Sequence, residues 1–242
     1  MVRLDVLVVQ RGLAETRERA HSLILSGAVL LDGSPATKPG LGVTEGADLA
    51  LVDAGPDWVS RGAYKLVAAL DHWAIEPSGC VCLDVGASTG GFTDVLLRRG
   101  AQRVYAVDVG YGQLHYRLRN DPRVVAMERT NARYLDSLPE PIGLAVVDVS
   151  FISLRLVLPV VFRLLKAQAR VVALVKPQFE AGRAEVGKGG VVRDEKVRRR
   201  VLDELRAWST SQPWHLGDVI ESPIRGPAGN VEFLSVWRSR ES

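Results

Sequence analysis

Four charged residues stand at the ends of otherwise apolar segments of this chain, and their types suit proton transfer. They are Lys65, Asp148, Lys176 and Glu232. A lysine ammonium has an ordinary pKa near 10.4, so at neutral pH it is almost fully charged and cannot accept a proton. Burial and a second nearby cation both favour the neutral amine. Two lysines among carboxylates therefore predict a site that takes a proton from a hydroxyl group, although either charged strand end alone is as typical of solvent exposure.

A glycine-rich turn joins an apolar strand to a helical pattern in Asp84-Val85-Gly86-Ala87-Ser88-Thr89-Gly90-Gly91-Phe92. Such a turn lets a nucleoside approach the backbone closely at the carboxyl edge of a parallel sheet. Its Gly-x-x-x-Gly-Gly spacing differs from the Gly-x-Gly-x-x-Gly pattern that cradles a pyrophosphate. The turn therefore favours S-adenosyl-L-methionine, which has no phosphate, over a nicotinamide cofactor. The expected cofactor contacts in the turn are Gly86, Ser88, Thr89, Gly90, Gly91 and Phe92.

Polar residues at the ends of successive strands extend this cofactor prediction. Asp84 is placed to accept from the methionine ammonium, directly or through water. Asp108 ends the second strand 24 residues later, near the spacing at which an acid holds ribose hydroxyls. Asn131 follows the third strand and could meet the adenine amino group through its carbonyl. Asp148 ends the fourth strand at the same edge, so it is expected beside the cofactor too.

Apolar strands alternate with amphipathic helices after residue 58, which predicts a parallel sheet covered on both faces. The predicted strands are 81–85, 103–108, 124–127, 144–148, 170–175, 215–220 and 231–237, and the predicted helices are 63–73, 91–98, 152–165 and 195–209. Only a loop separates the last two strands, so the final strand should be antiparallel. The expected fold is α/β: a class I (Rossmann-like) methyltransferase with seven strands in a mostly parallel sheet.

The first 54 residues differ from the rest and predict a small α+β module. Leu4, Leu7 and Val8 follow helical spacing, and 17–25 forms a second short helix with Thr16 as a plausible N-cap. A strand pattern, an Asp-Gly turn at residues 32–33 and a further strand near 48–52 complete the block. The predicted organisation is a module at 1–54, a linker at 55–60 and a second domain at 61–242.

This block resembles the alpha-L RNA-binding motif shared by a small-subunit ribosomal protein, pseudouridine synthases and bacterial tyrosyl-tRNA synthetases. The matching residues are Leu4-Asp5, Gly12-Leu13, Arg17 to Ala20, Ile24, Gly27-Ala28-Val29, Asp32-Gly33 and Lys38-Pro39. The resemblance implies phosphate contacts from Arg3, Arg11, Arg17, Arg19 and Lys38. Residues 1–60 nevertheless carry five Lys/Arg against eight Asp/Glu. Any RNA-binding face must therefore come from local clustering of the basic residues.

The whole chain resembles the TlyA (hemolysin A) group, which joins this motif to an FtsJ-like 2′-O-methyltransferase domain. The stretches that carry the resemblance are 59–66, 83–93, 148–153, 175–181 with 187–192, and 222–224 with 226–233. Ala63 stands where that family is expected to have glycine. The family's Lys–Asp–Lys–Glu tetrad falls on the four residues named at the outset. It implies Lys176 as the base, Asp148 as its orienting group, Lys65 as the second cation, and Glu232 as a group that orients Lys65 or the ribose.

That resemblance also implies the substrate, which would be cytidine sites in small- and large-subunit ribosomal RNA. The sequence leaves open whether free rRNA, a ribosomal subunit or the assembled ribosome is the form that is methylated. Two lesser features adjoin the tetrad. The glycine-rich segment 184–194 predicts a mobile loop that closes over RNA. A basic cluster lies on the next helix, where phosphate contact and a solvated face are equally typical; it consists of Lys196, Arg198, Arg199 and Arg200.

Composition narrows the remaining classes of function. The two cysteines, Cys80 and Cys82, are too close for a good disulfide, and the four histidines are dispersed, so no metal site is expected. No segment reaches the roughly 18 uncharged residues that span a bilayer. The first residues also lack the apolar core of a signal peptide. A cytoplasmic protein without a membrane partner is therefore predicted.

Three alternative functions remain open at this point. A non-catalytic RNA-binding or assembly factor would keep the fold without turnover, and label transfer from the cofactor distinguishes it. A membrane-lytic protein, as the hemolysin name suggests, would release dye from liposomes. A methyltransferase acting on tRNA or a small molecule is disfavoured, but not excluded, by the N-terminal module.

Overall fold

The computed structural model of the chain describes residues 1–25, 27–51 and 58–239. The chain divides into two compact units, Met1–Trp58 and Val59–Ser242. Residues 52–57, which include part of the predicted linker at 55–60, lie outside the described residues.

The N-terminal unit is a small α+β module. Its elements are β1 (Val2–Arg3), α1 (Leu4–Gln10), α2 (Arg17–Leu25), β2 (Val29–Leu31), β3 (Ser34–Pro35), β4 (Gly42–Val43) and β5 (Leu49–Leu51). Strand β2 lies between β3 and β5, with antiparallel pairing on both sides. Leu4, Val8 and Ile24 pack in its core because the helical spacing places them on inward faces. Thr16 Oγ1 accepts a hydrogen bond from the amide of Arg19 at 3.1 Å, as the expected helix cap would.

The second unit contains a seven-stranded sheet, which confirms the predicted fold class. Its strands are β6 (Val81–Val85), β7 (Arg103–Val107), β8 (Val124–Met127), β9 (Ile142–Val147), β10 (Leu165–Val175), β11 (Trp214–Glu221) and β12 (Phe233–Ser239). Their order is β11-β12-β10-β9-β6-β7-β8. Strand β12 is antiparallel to both of its neighbours, whereas the five strands from β10 to β8 are parallel.

Helices accompany the strands of this unit. They are α3 (Ala63–His72), α4 (Gly91–Arg98), α5 (Tyr116–Arg119), α6 (Leu154–Arg163), α7 (Pro177–Glu180) and α8 (Glu195–Ser209). Short 3₁₀ turns occur at Ala132–Tyr134 and Arg183–Glu185. The central strands are mainly apolar, with Asp84 in β6 as an exception, as is typical of a parallel sheet that helices cover on both faces. The core of the unit includes residues of β6, β9 and β10 packed with Val157 and Leu158 of α6 and Leu205 of α8.

The structure differs from the predicted elements mainly at their ends. Strand β10 begins five residues before the expected start at 170, because Leu165 already pairs with Ile142 of β9 ahead of an irregularity in the register. Gln168 within that irregularity has φ +64°, as a bulged strand residue can. Strand β12 begins at Phe233 rather than at 231, which leaves Glu232 just outside the strand. Helix α6 begins at Leu154 rather than at 152 because Ser153 caps it, its side chain accepting from the amide of Arg155. It ends at Arg163 rather than at 165, where β10 already begins.

Candidate active site

Lys65 and Glu232 form a buried ion pair at the carboxyl edge of the parallel strands. Lys65 lies in the first turn of α3, and Glu232 immediately precedes β12. The Lys65 ammonium donates to Glu232 Oε2 at 2.6 Å, and these residues are only 6% and 1% exposed. Burying two charges costs solvation energy that their attraction offsets only when the geometry is good. The pair therefore fixes the position of the Lys65 ammonium more than it stabilises the fold.

Lys176 and Asp148 form the second pair. Lys176 directly follows β10, and Asp148 directly follows β9. The Lys176 Nζ lies 2.6 Å from Asp148 Oδ1 and donates to Ser150 Oγ at 2.9 Å. Ser150 lies in the stretch 148–153, which carries part of the family resemblance, and the structure makes it a direct partner of the lysine.

Strand register places the two pairs next to each other. Val175 pairs with Phe233 in the antiparallel ladder between β10 and β12. Continuing that ladder by one residue brings Lys176 opposite Glu232. Because β9 and β10 are parallel, Asp148 emerges at the same edge. The structure thus brings all four sequence-predicted residues together as two lysine–carboxylate pairs, while their catalytic roles stay a prediction.

The glycine-rich turn packs tightly against this edge. Gly86 has φ +86°, and a Cβ added there would overlap the backbone carbonyl of Asp148. Gly90 has φ +98°, where an added Cβ would overlap Leu118. Gly86 therefore requires glycine for conformation and for space, and Gly90 requires it for conformation. The other predicted turn residues also have defined contacts. Gly91 is the first residue of α4 and lies close to Ser60, and Phe92 is buried. The carbonyl of Thr89 accepts from the amide of His115.

Asp84 is the most strongly perturbed carboxyl group of the turn. It is fully buried near the end of β6, and its Oδ2 accepts from Thr93 Oγ1 at 2.6 Å. Its Oδ1 has no hydrogen-bond partner among the described residues. Burial raises the pKa of Asp84 to about 7, against the hydrogen bond from Thr93, and the nearby carboxylates of Asp148 and Asp108 add to the rise.

Asp108 and Asn131 bind local backbone amides. Asp108 Oδ2 accepts from the Ser88 amide at 2.8 Å and Oδ1 from the Gly110 amide at 2.7 Å. This links the end of β7 to the glycine-rich turn. Asn131 is exposed, and its Oδ1 accepts from the Arg133 amide at 3.0 Å to cap a 3₁₀ turn. These contacts account for both side chains locally, and their expected roles toward ribose and adenine stay predictions.

The donor and acceptor set at the turn suits a cationic ligand. Asp84, Asp108 and Asp148 lie close enough to raise the pKa of the first of them. A buried acceptor without a partner costs free energy unless a donor satisfies it. A small concavity beside Asp108 is lined by Ala87, Ser88, Asp108, Gly110, Gln113 and Glu128, among others. A ligand with an ammonium group would supply a donor to Asp84 Oδ1, which has no partner among the described residues.

Phe151 is a feature of the site that sequence reasoning missed. It lies three residues after Asp148, is 90% exposed and has φ +64°. Aromatic residues rarely adopt this left-handed conformation, which costs about 1–3 kcal/mol. The Phe151 ring packs against Phe179 at 4.9 Å between centroids, and the Phe179 centroid lies 5.9 Å from Lys176 Nζ. An exposed aromatic ring is thus held beside the Lys176–Asp148 pair.

The predicted RNA-binding residues of the N-terminal unit are all exposed, and two of them share one buried acid. Asp5 is 1% exposed and accepts from Arg3 Nε at 3.0 Å, from Arg3 Nη2 at 2.9 Å and from Arg17 Nε at 3.0 Å. These contacts hold the pKa of Asp5 well below its usual range. Arg11 donates to the carbonyl of Glu45 at 2.6 Å. Their role toward RNA stays a prediction, as does that of Arg19 and Lys38.

Neither a metal-binding group of side chains nor a membrane-spanning helix is found in the described part of the chain. Among those residues, no group of three or more His, Cys, Asp and Glu side chains is arranged to hold a metal ion. No helix within the same ranges is both long and apolar enough to span a membrane.

Comparison with known families identifies both units. Residues 58–239 match the FtsJ-like methyltransferase family, and residues 2–49 match the S4 domain. The chain belongs to the FtsJ-like methyltransferase family. This membership confirms the resemblance noted from the sequence, and it identifies the N-terminal unit as an S4 domain.

Several relatives align with nearly the whole chain. The 16S/23S rRNA (cytidine-2′-O)-methyltransferase TlyA of Mycobacterium tuberculosis is 52% identical over 97% of this chain and 88% of its own length. Hemolysin A of Brachyspira hyodysenteriae is 40% identical over 97% of this chain and 98% of its own. A solved structure from Streptococcus thermophilus, named as a hemolysin, is 42% identical with a TM-score of 0.79, covering 100% of this chain and 89% of that one.

Proposed function

We propose that this protein transfers a methyl group from S-adenosyl-L-methionine to the ribose 2′-hydroxyl of cytidine in small- and large-subunit ribosomal RNA. The observation that carries the proposal is the placement of two lysine–carboxylate pairs, Lys65–Glu232 and Lys176–Asp148, beside the glycine-rich turn. The name of the M. tuberculosis relative supports the nucleotide and the RNA. Membership in a methyltransferase family supports the reaction class.

The turn would hold the cofactor through its acidic groups. Asp84 Oδ1 is a buried acceptor without a donor among the described residues, and the methionine ammonium is proposed as that donor. The carboxylates of Asp108 and Asp148 nearby favour a cation over a phosphate. When bound, S-adenosylmethionine supplies a methyl group on a positively charged sulfur, so an oxygen nucleophile needs only alignment and loss of its proton.

Lys176 is proposed as the group that takes the 2′-hydroxyl proton. Its Nζ must be in the amine form to accept this proton, and it becomes an ammonium as the oxygen attacks. Asp148 at 2.6 Å stabilises that ammonium. Ser150, which accepts from Lys176 at 2.9 Å, fixes the direction of the remaining N–H bonds. The proton thus moves from the ribose oxygen to Lys176 while the methyl group moves to the same oxygen.

Lys65 is proposed to stabilise the negative charge that develops on that oxygen. Its ammonium is held by Glu232 and is almost completely buried, so water screens its charge weakly. A preorganised cation of this kind lowers the energy of the developing alkoxide without reorganising during the reaction. Glu232 acts through Lys65 and is therefore a positioning residue.

Recognition of RNA is proposed to involve both units. The S4 domain offers Arg3 and Arg17, whose guanidinium groups Asp5 holds together. Near the catalytic pairs, Phe151 offers an exposed ring on which an unstacked base can lie. Stacking on an aromatic side chain is a common mode of recognition for single-stranded RNA. The proposed target nucleotide is therefore unpaired or turned out of its helix.

The proposal is tested by transfer of a labelled methyl group to ribosomal subunits from cells that lack this protein. Alkaline hydrolysis leaves phosphodiester bonds intact next to 2′-O-methylated nucleotides, so resistant dinucleotides identify the modified position. We expect label in such dinucleotides with cytidine as the 5′ nucleoside. Label on a base would contradict ribose methylation, and label on tRNA but not on rRNA would contradict the substrate.

A further inference from the structure

The segment 183–200 is the most basic stretch of the second unit, and we call it the basic arm. It contains seven Lys/Arg and three Asp/Glu, a net charge of +4 in a chain whose total is +3. The arm has no part in the methyl transfer described above. A flexible loop would not hold these charges at defined positions, so the contacts within the arm determine whether it can bind a partner specifically.

The basic arm contains a hydrogen-bonded hairpin that a buried asparagine anchors. Gly187 and Val191 form an antiparallel bridge, and Gly189 and Gly190 supply the positive φ values of the turn. Asn230 is 2% exposed, and its side chain contacts the returning side of the hairpin twice. Its Oδ1 accepts from the Val192 amide at 3.0 Å, and its Nδ2 donates to the Gly190 carbonyl at 2.8 Å.

The basic arm is connected to the proposed active site in two ways, through the hydrogen bonds of Asn230 and through the chain that follows Lys176. Asn230 lies two residues before Glu232, and its own carbonyl accepts from the Gly226 amide at 3.0 Å. A Cβ added at Gly226 would overlap the Glu232 carboxylate, so this loop packs closely on the Lys65–Glu232 pair. At its other end the arm follows α7, which begins immediately after Lys176. The hairpin is therefore positioned by the backbone segments that carry Glu232 and Lys176.

Two cations of the arm are bonded to other residues of the protein, and two others lie at or beside its hairpin. Arg200 pairs with Glu185 and Glu204, and Arg198 donates to the carbonyls of Val192 and Arg193. These two arginines hold the arm together. Lys188 at the hairpin turn and the neighbouring Arg193 are exposed, and no carboxylate among the described residues pairs with either side chain. Their charge is available to a partner.

We propose that the basic arm binds phosphates of the substrate RNA beside the target nucleotide, through Lys188 and Arg193, and that Asn230 is the positioning residue that holds the hairpin in place. The inference rests on the proposed function and adds phosphate contacts outside the S4 domain. Two cations at fixed positions beside a reactive site suit the backbone of a polyanion, which they orient without reading its sequence.

The double variant Lys188→Ala/Arg193→Ala tests the phosphate contacts. The full chain is titrated with a labelled rRNA fragment at several salt concentrations, and cofactor affinity is measured in parallel. We expect RNA affinity to fall about tenfold and the salt dependence to weaken by about 1.5 in the slope of log K against log salt, as for two lost phosphate contacts. The matched control is Arg163→Ala/Lys166→Ala, which removes two exposed cations near the opposite edge of the sheet. Equal losses in the two double variants would overturn the proposal, as would an unchanged salt slope.

Asn230→Ala tests the positioning role. Hydrogen exchange at the Val192 amide should accelerate, because its acceptor is lost, and RNA affinity should fall although both cations remain. Adding Lys188→Ala/Arg193→Ala to this variant should then weaken binding less than it does in the wild type, since the cations are already misplaced. Full additivity would overturn the role of Asn230. If Asn230→Ala does not fold, Lys188→Ala/Arg193→Ala decides the phosphate contacts by itself. Wild-type protein that binds rRNA but transfers no label to it would refute the proposed function and not the arm.

Discussion

Asp84 shows how burial determines the state of a single residue at the cofactor site. Its carboxyl group is fully buried with one unpartnered oxygen, and its pKa is raised to about 7. A raised carboxyl pKa means that the folded state favours the protonated form. Its contribution to stability is therefore present below the unfolded pKa near 3.8 and is lost as the pH rises through about 7. The charged form is instead the one that an ammonium ligand stabilises.

This linkage predicts that cofactor affinity depends on pH. Below about pH 7 the carboxyl group must lose its proton for the ammonium to bind, so affinity should fall by up to about tenfold per pH unit and should level off above that pH. Calorimetric titration with S-adenosylhomocysteine, which keeps the ammonium, measures the effect. Asp84→Asn should bind more weakly and lose this dependence. A wild-type affinity that stays constant between about pH 5.5 and about pH 8.5 would refute the role of Asp84.

The exposed ring of Phe151 is expected to contribute to RNA binding. Phe151→Ala removes the proposed stacking surface, so the KM for RNA should rise about 5–150-fold, which corresponds to about 1–3 kcal/mol per stacked base. Phe151→Tyr should restore most of this loss because the ring face is retained. Steady-state methyl transfer with a fixed rRNA fragment measures both. Leu156→Ala, which removes another exposed apolar side chain of the same region, is the control. An unchanged KM in Phe151→Ala would contradict stacking.

The sequence specified the charged residues of the site better than it specified their contacts. Lys65, Asp148, Lys176 and Glu232 could be found because each interrupts or ends an apolar run. Ser150 and Phe151 gave no comparable signal, since a serine and an aromatic residue in a loop are usually unremarkable. Their importance depends on the conformation of that loop, in which Phe151 adopts a left-handed backbone.

At the scale of elements, strands were predictable where hydrophobic runs are long and bounded by turns. Strands β6 and β8 and helices α4 and α8 begin and end as the patterns indicate. Helices α5 and α7 have four residues each, too few to show a helical period. The anchoring of the hairpin by Asn230 joins positions about 40 residues apart, a relation that local patterns do not contain.

Gly86 joins β6 to the glycine-rich turn at a position where the backbone of Asp148 leaves no space for a side chain. Gly86→Ala places a Cβ against the Asp148 carbonyl at φ +86°. Gly79→Ala is the matched control, since it has φ +70° with no atom within 4 Å of the added Cβ. The control should lower the free energy of unfolding by about 1 kcal/mol through conformation alone. Gly86→Ala should lower it by more and should also weaken cofactor binding, as measured by denaturant titration and calorimetry. Equal losses would show that the close approach to Asp148 is unimportant.

At the scale of the whole molecule, charge is distributed unevenly between the two units. Residues 1–60 carry a net charge of −3 in a chain of net +3, so residues 61–242 carry +6. Attraction between the S4 domain and RNA must therefore come from a local face, which Arg3 and Arg17 begin to define around Asp5. The second unit, by contrast, is basic as a whole. Both units are expected to contribute to the salt dependence of RNA binding.

Asp5 tests the contribution of the S4 domain. Asp5→Asn weakens three hydrogen bonds from two arginines, so RNA affinity should fall about fivefold and the free energy of unfolding by about 1–3 kcal/mol. Cofactor affinity should not change. Asp48→Asn, which alters an exposed acid in the same unit, should leave RNA affinity unchanged or slightly higher. If Asp5→Asn binds rRNA as the wild type does, the arginine pair is not part of the RNA-binding face.

The most direct test of the account is single-turnover methyl transfer by Lys176→Ala, with labelled S-adenosylmethionine and ribosomal subunits. Lys166→Ala, an exposed lysine near the opposite edge of the sheet, is the control. We predict that the control transfers label to the ribose as the wild type does. Lys176→Ala should transfer it at least about 100-fold more slowly, while its affinity for S-adenosylhomocysteine changes by no more than about twofold. Transfer by Lys176→Ala at the wild-type rate would show that another group removes the proton and would contradict the proposed mechanism.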